Sequence, residues 1–152
     1  MLQDAATRID FYILETTTPS DRMHFVCRLI EKAYKAQHRI YLLTGSASQS
    51  VELDKLLWTF RNEGFVPHEL ASDRNNDAAP IIIGHEQPDT RYSDLLVNLS
   101  TMKPANLQQF ARIIEVIDAS ENIRNTGRQR FSDYRAAGLI PETHKIGSIR
   151  AD

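Results

Sequence analysis

The sequence is short of cysteine, of glycine-rich loops, of long apolar runs and of excess basic charge, and each shortage removes a class of function. One cysteine, Cys27, excludes an internal disulfide and a cysteine-built zinc site. No apolar run approaches the ~20 residues needed to cross a bilayer, so no membrane partner is expected. Residues Met1 to Asp10 carry no apolar signal core, which leads us to expect a reducing cytoplasm. A net charge of −2 argues against broad coating of DNA, although it leaves room for a local basic patch. The five histidines (His24, His38, His68, His85, His144) never fall in H-x-x-x-H or H-E-x-x-H spacing, so no metal site is expected. There is no G-x-G-x-x-G, no G-K-[ST] and no G-x-S-x-G elbow. No cofactor and no catalytic residue are assigned.

What is present reads as one domain over residues 1–152, with 41% apolar and 25% charged residues. RIDFYIL (Arg8–Leu14) is β-branched and aromatic, and predicts a strand. Apolar residues recur at helical spacing over Asp21–Gln37, with Ser20 as the expected N-cap. RIYLL (Arg39–Leu43) is a nearly continuous apolar strand of the kind buried in a parallel sheet. A second helix is predicted over Gln49–Asn62, then a polar loop over Ala71–Ala79. Further strands are predicted at Pro80–Gly84, Leu95–Leu99 and Ala111–Ile117. Pro104–Phe110 predicts a short helix, and Ser120–Ala137 a last helix ended by Gly138. Residues Leu139–Asp152 read as a frayed polar tail, flexible from about residue 144. The alternation of strand and helix predicts an α/β fold, a mostly parallel sheet flanked by helices in a Rossmann-like layout, without a phosphate-binding loop.

Three places invite a chemical reading. The loop TGSAS after RIYLL is where a nucleotide would sit, but with one glycine it reads better as an ordinary strand-to-helix turn with a serine cap. His24 and Cys27 lie three apart on a helix; a dyad there needs a third orienting group, and Cys27 reads better as a small apolar residue at the buried face. The stretch LLWTFRNEGFVPHEL (Leu56–Leu70) holds the only tryptophan, Trp58, and either closes the core, carries a catalytic His68, or presents a surface to a partner. The last helix says more. At ~100° per residue, Arg124, Arg128, Phe131 and Arg135 fall in one wedge, while Ile123, Gly127 and Tyr134 form the adjacent stripe assigned to the sheet. Guanidiniums around a phenylalanine suit a peptide with acidic residues and an apolar C-terminal end. A solvated charged face with Phe131 partly buried, and a nucleic-acid surface, remain open on the same residues.

The succession FYIL, RIYLL, LDKLLW, FVPH, DLLVNL and R-Q-R-F-x-x-Y-R-x-x-G resembles the chi subunit of bacterial DNA polymerase III holoenzyme, a clamp-loader accessory subunit, from the first strand to about Thr143. The resemblance implies an accessory protein without catalysis of its own, inside a DNA-directed DNA polymerase complex in the bacterial cytoplasm, at the nucleoid-associated replisome. It implies two protein partners: the psi subunit of the clamp loader, and the acidic C-terminal tail of single-stranded DNA-binding protein. Such a protein links the clamp loader to coated single-stranded DNA, and so meets DNA mainly indirectly. A chi-like protein can also pair with a repair helicase in place of psi.

Carried over residue by residue, the resemblance puts Arg128 at the tail's terminal carboxylate, Arg124 at a usually basic position and Ile117 in the same pocket. Phe131 stands where tyrosine is more usual, which removes a hydroxyl, and Ser132 stands where a basic residue is common. Tyr134, Arg135, Gly138 and Thr143 match the rest of the pattern. For the psi or helicase surface the resemblance implies Phe65, supported by Trp58, Val66 and Pro67. A small α/β nucleotide-binding enzyme or regulator is the alternative, with its ligand near Thr44–Ser48.

Overall fold

The computed structural model describes residues 6–60, 66–71 and 79–147. They form seven strands and three helices: β1 (Arg8–Leu14), α1 (Pro19–Lys35), β2 (Ile40–Leu43), α2 (Ala47–Thr59), β3 (His68–Leu70), β4 (Ile81–Gly84), β5 (Leu95–Asn98), β6 (Arg112–Ile117), α3 (Glu121–Ala136) and β7 (Glu142–Ile146). The strands make one sheet in the order β3-β4-β2-β5-β6-β1-β7, and every pairing is parallel. This is the α/β layout expected from the sequence. Strands buried on both faces have no need of alternation, which is why IYLL, IIIG and LLVN are buried at every position.

The sheet divides the core in two. Under α1 and α2 pack Val26, Ile30, Leu53 and Leu57 against Leu42, Ile83 and Val97. On the other face Tyr134 of α3 packs with Ile9, Phe11, Ile113 and Ile117. Gly127 lets α3 approach closely, since a Cβ there would lie 2.8 Å from Ile117 Cδ1. A polar cluster is buried in the same layer. The Glu115 carboxylate, fully enclosed, accepts from Arg130 Nε (2.8 Å), Tyr134 OH (2.5 Å) and Asn98 Nδ2 (3.1 Å). Burial pushes this carboxyl up from its ordinary range, while Arg130 and the two hydrogen bonds oppose that push.

Four local expectations are corrected. Helix α1 begins at Pro19 with Thr18 as N-cap, so Ser20 lies inside the first turn; the fixed φ of proline is preorganised for that first position. Helix α2 begins two residues early, because Ser46 caps it by accepting from the Gln49 amide at 3.1 Å. Pro104–Phe110 forms turns and no helix, since the Asn106 side chain takes the Gln108 amide (3.1 Å) that a helix would use. Finally, residues 142–146 are no frayed tail: they pair with β1 in register, Phe11 with Thr143 and Ile13 with Lys145. Gly138 does end α3 in the left-handed region, at φ +88°.

Candidate functional site

Side chains alternate along β1 and β7, so Phe11, Ile13, Thr143 and Lys145 share the face covered by α3. One turn of α3 after another adds Arg124, Gly127, Arg128 and Phe131, and Ile117 closes the end of β6. Together these residues line a groove of about 340 Å³ between α3 and the outermost strand. Its floor is apolar. The Phe131 ring packs on Phe11 with centroids 5.3 Å apart, and Phe11 in turn meets the edge of Tyr134 at 5.9 Å. Its rim is cationic, with Arg124, Arg128 and Lys145 and no carboxylate in the lining. Among the described residues no acidic group lies within ion-pair distance of any of the three. Arg128 lines the groove and donates from Nη1 to Asn125 Oδ1 at 3.1 Å, one of the five N–H donors of its guanidinium.

Five of the eight residues expected for the tail site therefore meet in one groove: Ile117, Arg124, Arg128, Phe131 and Thr143. Three do not. Tyr134 is wholly buried and spends its hydroxyl on Glu115; burial and that carboxylate push its phenol upward, so it stays neutral. Arg135 is exposed one turn past Phe131 and outside the lining. Gly138 serves the helix end, where its N–H donates to Arg135 O at 3.0 Å. Sequence reasoning missed Phe11, Ile13, Gly127 and Lys145 as groove residues. The alternation of the first strand pointed to the first two, but Lys145 lay in residues read as a tail.

The second set of expected residues is more scattered. Phe65 lies outside the described residues. Val66 is only 3% exposed and packs in the core beneath α2, so its side chain is spent on packing. Pro67 is half-buried. Trp58 is 56% exposed, and Val51 on the same α2 face is 42% exposed. Trp58 therefore does not close the core; its ring rests beside that of His68 at 5.0 Å. His68 itself is buried, with Nδ1 against Val66 O (2.6 Å) and Nε2 against Asp54 O (3.1 Å), which makes it a structural histidine.

The other chemical readings lose their geometry. Cys27 is buried, with its thiol pushed up to about 12 by desolvation, while His24 is exposed and bonded to Ser20 O. Asp10, Glu142 and His144 bring possible ligand atoms within 4.8 Å of one another. However, Asp10 accepts from Arg112 Nε (2.7 Å), lies 2.7 Å from His144 Nε2 and 2.9 Å from Arg8 Nε, so its lone pairs are taken by side chains of the protein itself. At the start of α2 the Gly45 amide donates to Gln49 Oε1 (2.7 Å) and the Gln49 amide to Ser46 Oγ, which occupies N–H groups a phosphate would need. The cavity beside it, about 310 Å³, is lined by Glu86 and Asp89, which repel phosphate.

Among the described residues no helix is long and apolar enough to cross a membrane. Residues 6–142 match the family model described as DNA polymerase III chi subunit, HolC. The chain is similar to the DNA polymerase III subunit chi of Pseudomonas aeruginosa, with 36% identity over 143 residues, 94% of this chain and 99% of that protein. It is also similar to the Escherichia coli subunit chi, with 26% identity over 134 residues, 85% of this chain and 91% of that protein. On these matches and on the fold, the chain belongs to the family of DNA polymerase III chi subunits.

Proposed function

We propose that this chain is a DNA replication accessory subunit of a DNA polymerase III holoenzyme, and that its α3–β7 groove captures the acidic C-terminal tail of single-stranded DNA-binding protein. The observation that carries this reading is the groove itself: three cations that have no carboxylate partner among the described residues stand around an apolar floor. An acidic peptide ending in an apolar residue satisfies both features. The apolar side chain enters between Phe131, Phe11 and Ile117, and the terminal carboxylate takes the fork of Arg128. Calorimetry with a tail peptide tests it. Arg128→Ala should weaken binding about tenfold or more, as loss of a charge-assisted hydrogen-bonded pair does, while the melting temperature stays unchanged. Equal affinity of both proteins at low salt overturns the assignment.

A second surface serves psi or a helicase. It is supported by Trp58 and Val51, large apolar side chains left exposed two turns apart on α2. An exposed aromatic that fits a partner pocket is how interface anchors are built. Pro67, nine residues after Trp58, leads into β3, at the sheet edge opposite β7, and Phe65, two residues before it in sequence, is assigned to the same surface.

A further inference from the structure

We infer that Lys145 is the specificity-determining cation of the groove: it holds a side-chain carboxylate upstream of the peptide's terminal one, and supplies from the strand wall the charge that Ser132 does not supply from the helix. The inference rests on the tail-binding reading and adds a residue that the family match, ending at residue 142, does not reach.

Position is the first argument. Lys145 pairs in register with Ile13, and Thr143 with Phe11, so both side chains of β7 point into the groove opposite Arg124 and Arg128. Their neighbour His144 points the other way, to Asp10 at 2.7 Å, with its ring stacked on Tyr12 at 4.8 Å. That contact fixes the strand, and with it the facing of Lys145. The cation is therefore held on a paired strand and not on a loose tail, so less ordering is needed on binding.

Chemistry is the second. The planar fork of an arginine matches a carboxylate in two parallel hydrogen bonds, whereas a lysine ammonium is a point charge on a flexible stem. The terminal carboxylate, fixed by the buried apolar residue beside it, suits Arg128. A side-chain carboxylate further up the peptide arrives with a free rotamer, and suits Lys145. Ser132 is exposed on α3 and brings no charge. Three cations converging on one groove with no anion among its described lining residues also favour a ligand that carries more than one negative charge.

The test is a double-mutant cycle read by fluorescence anisotropy at low salt, using the full chain. The probes are the tail peptide and the same peptide with its acidic side chains changed to amides but its terminal carboxylate kept. Lys145→Ala should bind the acidic peptide about fivefold more weakly, with a shallower dependence on salt, and Lys145→Arg should restore most of it. Against the amide peptide, wild type and Lys145→Ala should bind alike. Equal binding of the acidic peptide by wild type and Lys145→Ala, or a loss that persists with the amide peptide, overturns the role of Lys145. No binding of either peptide by the wild type overturns instead the reading on which it rests.

Discussion

At the scale of single residues, the groove and the core behind it separate cleanly. Tyr134 stands beside groove residues in sequence, yet its hydroxyl is bonded to the buried Glu115. Tyr134→Phe should therefore destabilise the fold by about 1.5–3 kcal/mol, the range for a hydrogen bond to a charged group, and leave tail-peptide affinity unchanged; denaturant melts and anisotropy check the two halves. Gly127→Ala should do the reverse. Its Cβ would press on Ile117 Cδ1, the movable end of a side chain that lines the groove. Alanine raises helix propensity by ~1 kcal/mol over glycine, which offsets the crowding, so the melting temperature should shift little while the displaced Ile117 narrows the groove and weakens binding. The helical projection found Arg124, Arg128 and Phe131 because they repeat at the helix period. It could not tell that Arg135 falls outside the lining, since the groove ends with the strands and not with the helix.

At the scale of elements, strands with continuous apolar runs were legible to within a residue or so: β1 was read at its observed bounds, and β2, β4, β5 and β6 nearly so. β7 was not, because ETHKI is polar at its first four positions, is exposed at three of five and lies at a sheet edge. Its signal is tertiary: what holds it is Asp10, on β1, more than a hundred residues away. β3 was missed for the same reason, being three residues long at the opposite edge. The attachment of β7 has a pH signature. Burial tends to raise the Asp10 pKa, but the hydrogen bonds from His144 and Arg112 and the charges of Arg112 and Arg8 outweigh it, so the folded value is depressed. A depressed carboxyl contributes stability that is fully present above its unfolded value of about 4 and is lost as pH falls through the folded value. Asp10→Asn should therefore lower stability at neutral pH, and the gap between variant and wild type should close as the solution is acidified below about pH 4; melts across that range check it.

At the scale of the whole molecule, the two proposed surfaces lie on different parts of the sheet. α2, which carries Trp58, packs near β3 and β4, whereas the groove belongs to β6, β1 and β7. Trp58→Ala combined with Phe65→Ala should abolish capture of psi in a pull-down and leave tail-peptide affinity intact; loss of both refutes separate surfaces. A panel of nucleotides should leave the melting temperature unmoved, because the amides at the start of α2 are taken by its own side chains. The strand order also dictates when the protein becomes competent. β1 emerges first, yet its neighbours are β6 and β7, so Arg8 waits for Arg112 and Phe11 for Thr143. At synthesis rates of about 5–20 residues per second, the first strand spends several seconds without its sheet partners, and the groove is the last feature to exist. A chain interrupted anywhere before β7 would retain most of its sheet sequence but offer no complete cradle. On the proposed tail-binding reading, a copy that ends before β7 would lack Thr143 and Lys145 of the groove and hold the tail peptide less tightly.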